Sequence, residues 1–551
     1  MNLSYALSAL TLAAATLIPL QAEACTNLIA GKKASADGSV MVTYAADSHN
    51  LYGMLTHTPA ADHPKGAMRK VVEWDTNKPM GEIPQVPHTY SVVGNMNEHQ
   101  LCIGESTWGG HEELTDTTGN SIIDYGSLIQ IALERAKTAR EAIDVMTDLV
   151  DKYGYASSGE SFSIADKNEV WVLEMIGKGA EKGAVWIAVR IPDDAISGHA
   201  NEPRIRKVDL KDKENVRYAK DLIPFARKRG YFSGKDEDFS FADAFEHHTP
   251  DVRRGCDGRV WTYFRRYNPE AEQYFAWINA DSDEPMPLYI IPEKKVDLAG
   301  MQDAMRDLFQ GTPYDMTQDV GAGPNHVPYR WRPMTFEVDG KEYTNERAIA
   351  TQQTGWSFVS QSRDWLPDPV GGVLWFGTDD TNTTVYMPFY CSMTEVPAEL
   401  QHGDINTFDM NSNFWMNNWV ANQAYARYDL MIPDIRKVQS ALENDFIASR
   451  PAREAELKAL AEAGNMAELT AQVNAEGAAI AKKATDSYRD LAQFLLVRFM
   501  DGNMKKLDDN GQFPRNEYGL PLYPEFPGYD KAYYERIVKE TGDHFLVSPK
   551  K

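Results

Sequence analysis

Cys25 is the residue whose type and position best suit a role in catalysis. It directly follows Ala-Glu-Ala at residues 22–24, a small-x-small pattern that signal peptidase accepts. Cleavage after Ala24 would make Cys25 the first residue, with both a thiol and a free α-amine. A thiol titrates near ~8.5 and an α-amine near ~8, so the amine can take the proton of the thiol. Such a residue carries a nucleophile and its general base together.

Residues 1–24 are typical of an export signal. Their apolar stretch, residues 7–20, is too short to cross a bilayer as a helix of ~20 residues. No Lys or Arg precedes this stretch, which departs from the usual signal. The alternative is an N-terminal helix that stays on the chain. We predict that residues 1–24 are removed by signal peptidase and that the product is periplasmic or secreted.

Two other interpretations of Cys25 remain open. A lipoprotein signal would place Leu or a similar residue three positions before the acylated cysteine, but Ala22 stands there. A lone cysteine is also commonly an ordinary buried thiol. Physical chemistry alone favours the catalytic interpretation only modestly over the structural one.

A predicted hairpin brings a carboxylate back to Cys25. The β-type runs "TNLIAG" and "SVMVTYA" are separated by "KKASADG", in which Asp37-Gly38 is a turn signal. Folding the chain about residues 34–36 places residues 44–47 beside Cys25. Asp47 is therefore a candidate to orient the α-amine.

Composition limits the class of protein. The chain has 551 residues and a formal net charge of −24, which argues against a general nucleic-acid binder. Its hydrophobic content of 43% and aromatic content of 11% indicate a globular protein. No stretch approaches a transmembrane span, so stable membrane insertion is not expected. Cys102, Cys256 and Cys391 are expected to be buried thiols or to form one optional bridge.

Several common active sites have no matching motif. The sequence lacks His-Glu-x-x-His, G-x-G-x-x-G, a Walker A loop and G-x-S-x-G. The pair His247-His248 has no third ligand at metal spacing and is interpreted as a surface pair. Chemistry based on Cys25 needs no metal or other cofactor.

The order of elements indicates a layered α+β fold. Strands are predicted at "TYSVVGNM", "LCIGEST", "SFSIAD", "EVWVLEMIG", "AVWIAVRIP", "GGVLWFGTD" and "TTVYMPFY". The periodicity of residues 125–153 predicts a helix ending at Gly154. Strands followed by helices and more strands are typical of α+β proteins. We divide the mature chain into a core at 25–431 and a helical region with a Pro- and aromatic-rich tail at 432–551, packed on that core.

Five blocks resemble the dipeptidase A / secernin family of N-terminal-nucleophile hydrolases. They are "CTNLIAGKKASADGSVMVTYAADS", "NMNEHQLCIGESTWGG", "SGESFSIADKNEVWVLEMIGKG", "GHANEPRIR" and "GGVLWFGTDDTNTTVYMPFY". With the helical segment ending at "RFMDGN", the resemblance covers about residues 25–503. It implies a four-layer αββα sandwich with a C-terminal helical extension, and hydrolysis of dipeptides through an acyl-enzyme on Cys25.

The resemblance also implies roles for individual residues. The family aspartate near the nucleophile falls on Asp47. Related bile-acid hydrolases and penicillin V acylases have an oxyanion asparagine before a proline, and Asn201 in "ANEPR" occupies the matching place. Without the resemblance, Asn201 would be interpreted as a turn residue. Thr107 in "GESTW" matches a second polar oxyanion or substrate contact.

One position departs from the family pattern. Many members have an arginine three residues before the aspartate, where this chain has Tyr44. A tyrosine donates a hydrogen bond but has no fixed positive charge to favour a thiolate. Arg265 or Arg266 in "WTYFRRYNP" could supply that charge, and the alternative is a surface arginine pair. Tyr44 and Arg266 are expected to contact the substrate.

The sequence therefore predicts an exported cysteine dipeptidase acting on small peptides. A close alternative is the same machinery acting on an N-acyl amide, as in penicillin V acylases or bile-salt hydrolases. A lipid-anchored, non-catalytic binding protein is the alternative from another class.

Overall fold

The computed structural model describes residues 25–548, so the predicted export signal at residues 1–24 lies outside the described residues. The strands, in chain order, are β1 Asn27–Ala30, β2 Val40–Asp47, β3 His57–Thr58, β4 Ala61–Asp62, β5 Met68–Val72, β6 Pro79–Pro84, β7 His88–Thr89, β8 Val92–Val93, β9 Met96–Asn97, β10 Cys102–Trp108, β11 Gly159–Ala165, β12 Val170–Lys178, β13 Glu181–Ile191, β14 Ile196–His199, β15 Val216–Tyr218, β16 Tyr289–Ile290, β17 Thr335–Val338, β18 Lys341–Thr344, β19 Thr354–Ser362, β20 Val373–Thr378 and β21 Met387–Tyr390. The α-helices are α1 Tyr125–Arg135, α2 Ala139–Tyr153, α3 Leu222–Arg229, α4 Phe241–Phe245, α5 Pro250–Gly255, α6 Asp257–Tyr267, α7 Phe275–Ile278, α8 Leu298–Ala304, α9 Asp368–Gly371, α10 Asn413–Ala426, α11 Tyr428–Glu462, α12 Met466–Phe499 and α13 Lys531–Thr541.

Two antiparallel sheets form the centre of the fold. The first has the order β16-β14-β1-β2-β19-β20-β21, and the second has the order β15-β13-β12-β11-β10-β9-β8-β3. Strand β2 packs against β10 and β11, so the sheets lie face to face. Every residue of β2 and of β11 is buried, as expected for strands covered on both faces. The site described below lies between these sheets.

Helices cover the outer faces of both sheets. Helices α1 and α2 pack on the second sheet through β10–β13, whereas α6, α10 and α12 pack on the first sheet through β14, β20 and β21. The layers are therefore helix, sheet, sheet and helix. This arrangement is the four-layer αββα sandwich that the family resemblance implies.

The predicted hairpin of β1 and β2 is confirmed, and β11 and β12 form a second hairpin. Strands β1 and β2 pair at Ile29↔Val42 and Ala30↔Met41, and Gly38 in the connecting turn has φ +88°, a conformation that favours glycine. Strands β11 and β12 pair along their length, joined by a short turn. The first hairpin is the element that returns Asp47 to the start of β1.

The single helix predicted over residues 125–153 is two helices. Helix α1 ends at Arg135, and α2 begins after Thr138, whose side chain accepts a hydrogen bond from the Glu141 backbone N–H. This N-cap competes with a continuous helix because it satisfies an otherwise unpaired backbone donor. The predicted end at Gly154 is correct.

Beyond the sheets, α10, α11 and α12 pack against one another. Helices α11 and α12 are joined by a short turn in which Gly464 has φ +71°. The tail is largely exposed, with Tyr518 and Tyr523 each more than three-quarters accessible. Within residues 25–548, no helix has the length and apolar character needed to cross a membrane. All four cysteines are free thiols, so the optional disulfide is not formed.

Candidate active site

Cys25 lies two residues before the start of β1 and beside the end of β2. Thr26 forms an isolated bridge with Ala45, in which the Ala45 N–H donates to the Thr26 carbonyl at 3.0 Å. The side chain of Cys25 is only 4% exposed. Its thiol donates to Glu105 Oε1 at 3.4 Å and lies 3.7 Å from the Tyr44 hydroxyl. The hairpin geometry predicted from the sequence therefore places Tyr44 at the nucleophile candidate.

The environment keeps the Cys25 thiol protonated in this chain. Burial raises its pKa well above the usual value, and the negative charges of Glu105 and Asp47 raise it further. Hydrogen bonds from the Asp47 backbone and from Tyr44 oppose this rise but are the smaller causes. A thiolate is thus not favoured, and the thiol needs a base that takes its proton during reaction.

Asp47 is fully buried and firmly held. Its carboxylate accepts a hydrogen bond from the Thr354 hydroxyl at 2.6 Å and forms an ion pair with Arg347. Gln353 donates from its side chain to the Asp47 carbonyl at 3.3 Å. Burial raises the pKa of Asp47, and the charge of Arg347 is the main opposing cause. The carboxylate therefore has a fixed orientation next to Cys25.

Arg259 of α6 connects the nucleophile candidate to Asn201. Its Nη1 donates to the Cys25 carbonyl and to the Thr26 hydroxyl, both at 2.8 Å. Its Nη2 donates to the Ala200 carbonyl at 3.0 Å and to Asn201 Oδ1 at 2.8 Å. Burial lowers the pKa of Arg259 to about 10, so the guanidinium remains charged at neutral pH.

Asn201 and Thr107 are hydrogen-bonded to each other next to Arg259. Asn201 has φ +58°, a left-handed conformation that asparagine tolerates better than most residues. Its side-chain Nδ2 donates to the Thr107 carbonyl at 2.5 Å, while the Thr107 hydroxyl donates to Glu160 Oε2 at 3.1 Å. With Arg259 on its Oδ1, the Asn201 amide has a defined orientation beside Cys25.

The arginine pair of the sequence analysis lies elsewhere. Arg265 pairs with Glu272 at 2.6 Å, and Arg266 pairs with Asp303 and Asp307, each at 2.7 Å. The cations that contact the candidate site are instead Arg259 and Arg347. Neither was identified from the sequence, because no local motif marks them.

Tyr44, which stands where many family members have an arginine, contacts a carboxyl group. The Tyr44 hydroxyl donates to Glu105 Oε1, and burial raises the pKa of this phenol well above its usual value. Glu105 was also missed by the sequence analysis, although the two-residue alternation of β10 places it on the same face as Thr107.

A cavity of about 350 Å³ borders the residues that hold Asp47. Its wall includes Thr354 and Gln353, together with Arg332. Its aromatic lining consists of Trp331, Phe414, Trp415 and Tyr425. Asp379 also lines it and is 2% exposed, and its Oδ2 has no hydrogen-bond partner within residues 25–548. Burial raises the pKa of Asp379 to about 7.

The chain is similar in sequence to several dipeptidases. A probable dipeptidase of Salmonella dublin is 26% identical over 394 residues, covering 67% of this chain and 81% of that protein. Dipeptidase A of Lactobacillus helveticus is 25% identical over 426 residues, covering 73% and 82%. A dipeptidase of Bifidobacterium longum is 26% identical over 444 residues, covering 72% and 76%.

A solved structure of penicillin V acylase from Agrobacterium tumefaciens is 12% identical in sequence to this chain. The match covers 70% of this chain and 88% of the acylase chain, and its TM-score of 0.27 is low. The family model described as Peptidase family C69 matches residues 24–441, which is most of the chain and includes Cys25, Asp47, Asn201 and Arg259. The chain therefore belongs to peptidase family C69.

Proposed function

We propose that the mature protein is an exported dipeptidase, in which Cys25 becomes N-terminal after removal of residues 1–24 and forms an acyl-enzyme. The observation that carries this proposal is the environment of Cys25. Asp47 and Asn201 are both held in fixed orientations beside Cys25, and Arg259 is the residue that holds Asn201. The names of the relatives support dipeptides as substrates. The family match beginning at residue 24 supports a mature start at Cys25.

In the first half of the reaction, Cys25 Sγ attacks the scissile carbonyl carbon and its proton passes to the Cys25 α-amine. Asp47 orients that amine. The carbonyl oxygen becomes an oxyanion, which the Asn201 amide and backbone N–H groups stabilise. The C–N bond then breaks, and the α-ammonium gives its proton to the departing amino group. A thioester with the first residue of the substrate remains on Cys25.

In the second half, water attacks the thioester carbonyl and the α-amine accepts a proton from it. Collapse of the intermediate releases the amino acid, and the sulfur recovers its proton. Each group returns to its starting state, and the cycle requires no metal.

The uncut chain is expected to be inactive. Before cleavage, the nitrogen of Cys25 is an amide and cannot act as a base. Burial and the charges of Glu105 and Asp47 also keep the thiol pKa high. Export and cutting by signal peptidase would therefore switch on the enzyme in the periplasm or outside the cell.

The test uses the full-length chain produced in a bacterium with and without export. We expect N-terminal sequencing and intact mass to show a product beginning at Cys25 only after export, and only that product to cleave dipeptides. Cys25→Ala should abolish turnover, whereas Cys391→Ala, which removes another buried thiol, should keep it. A mature chain starting elsewhere, or full activity of Cys25→Ala, would contradict the mechanism.

The same experiment addresses the alternatives. A panel of dipeptides, longer peptides and N-acyl amides separates a dipeptidase from an N-acyl amidase. A diacylglyceryl adduct on Cys25 would instead favour the lipid-anchored binding protein.

A further inference from the structure

Two buried glutamates lie beside Cys25 and have no role in the mechanism above. Glu105 of β10 and Glu160 of β11, here called the glutamate pair, are 1% and 0% exposed. No Arg, Lys or His within residues 25–548 forms an ion pair with either. Glu105 Oε2 and Glu160 Oε1 have no hydrogen-bond donor among the described residues, and the two carboxyls are close enough to hydrogen-bond to each other when one of them is protonated.

A negative charge on the glutamate pair has no compensating cation among the described residues. Burial raises the pKa of both carboxyls, and the neighbouring charge of Glu105 raises that of Glu160 further. Of the two carboxyls, Glu160 therefore holds a proton more tightly and Glu105 ionises more readily. A buried charge without a cation destabilises a fold, so a structural role does not explain it. A positively charged ligand group would compensate it.

The distance to the nucleophile identifies that group. In any amino acid the α-nitrogen lies about 2.5 Å from its own carbonyl carbon. Sγ approaches this carbon to roughly 3–3.5 Å before attack. The α-ammonium of the first residue of a peptide must then lie within a few ångströms of Sγ. Glu105 Oε1 is 3.4 Å from Cys25 Sγ, where it can reach such an ammonium.

We propose that the glutamate pair binds the free α-ammonium of the substrate, so that cleavage requires an unblocked N-terminus. This proposal rests on the proposed function and specifies its substrates. Glu105 accepts the ammonium hydrogen bond, and Tyr44 orients Glu105 through its hydroxyl. An N-acyl amide has no such charge and leaves the glutamate pair uncompensated.

The test compares alanyl-alanine with propionyl-alanine, which differs only by lacking the amine. The mature wild-type enzyme should cleave alanyl-alanine at least about 100-fold more efficiently. Glu105→Gln should lower kcat/KM for alanyl-alanine by about 10- to 100-fold, mainly by raising KM, because a hydrogen bond to a charged group is lost. The change in kcat/KM for propionyl-alanine should be much smaller, so that the ratio of the two kcat/KM values falls in this variant. Glu160→Gln, which resembles the protonated side chain, should have a smaller effect.

Glu134→Gln serves as the matched control because Glu134 of α1 is also a buried carboxyl but pairs with Arg69 of β5. It should keep the wild-type ratio of the two substrates. Equal losses on both substrates in Glu105→Gln would show that Glu105 acts on the nucleophile, and would overturn the ammonium site. Similar wild-type rates on both substrates would overturn it without any variant and would leave peptide hydrolysis intact. If wild type cleaves neither compound, the proposed function fails and the ammonium site fails with it.

Discussion

Arg259 joins Cys25 to Asn201 through a single guanidinium group, which donates to the Cys25 carbonyl from Nη1 and to Asn201 Oδ1 from Nη2, both at 2.8 Å. The residue that would attack and the residue that would stabilise the oxyanion are therefore positioned by one side chain. A planar group with fixed donor directions can hold both at once.

We expect Arg259→Lys to be severely impaired. A lysine ammonium is a compact charge and cannot reproduce the planar set of donors that reaches Cys25 and Asn201. Loss of the Asn201 orientation should lower kcat by about 100-fold or more, as for removal of an oxyanion donor. Steady-state kinetics on a dipeptide measure this. Arg265→Lys is the control, because Arg265 lies on the same helix but pairs with Glu272. Near-normal kcat in Arg259→Lys would contradict the positioning role.

Asp47→Asn should affect both stability and catalysis. Removing the carboxylate leaves the Arg347 guanidinium without its buried counterion, which typically costs about 3–5 kcal/mol. Denaturant unfolding measures the loss. The double variant Asp47→Asn with Arg347→Met should recover much of the free energy of unfolding but no activity, because the orientation of the α-amine is still lost. Recovery of turnover in the double variant would limit Asp47 to a structural role.

Asp379 should make stability fall as pH rises. Its pKa is about 7 in the folded protein and near ~3.9 in an unfolded chain. Between these values the folded state binds more protons, so the free energy of unfolding decreases with increasing pH. Asp379→Asn removes this contribution, and asparagine tolerates the positive φ of 65° at this position. Relative to wild type, the variant should gain about 2 kcal/mol between pH 5 and pH 7.5.

Thermal and urea unfolding at the two pH values measure this difference. Asp404→Asn, at an exposed turn whose hydrogen bonds lower the pKa of Asp404, should not reproduce the gain. An unchanged difference between wild type and Asp379→Asn across this range would show that Asp379 is ionised in the folded protein at pH 5.

Local patterns predicted the parts of the site that are close in sequence. The Asp37-Gly38 turn and its flanking runs were sufficient to place Asp47 beside Cys25. The break between α1 and α2 also had a local signal, since Thr138 and Glu141 have capping-box spacing. Similarly, strand alternation could have added Glu105 once Thr107 was a candidate.

The two site arginines could not be found in this way. Arg259 lies 234 residues from Cys25, and Arg347 lies 300 residues from Asp47. Their places depend on the packing of α6 against the first sheet and on the chain before β19. Arg266 has the same side-chain chemistry as Arg259, and only the tertiary fold determines which of them faces Cys25.

The position of β1 has a practical consequence for handling the protein. This strand lies between β14 and β2 inside a sheet. Arg259 donates a hydrogen bond to the carbonyl of Cys25, two residues before the strand. Chain ends are commonly frayed, but an end at Cys25 would be held like a core strand. An affinity tag or a leftover residue at that end would occupy the reaction centre itself. An affinity tag is therefore better attached to the exposed tail near Tyr518 and Tyr523.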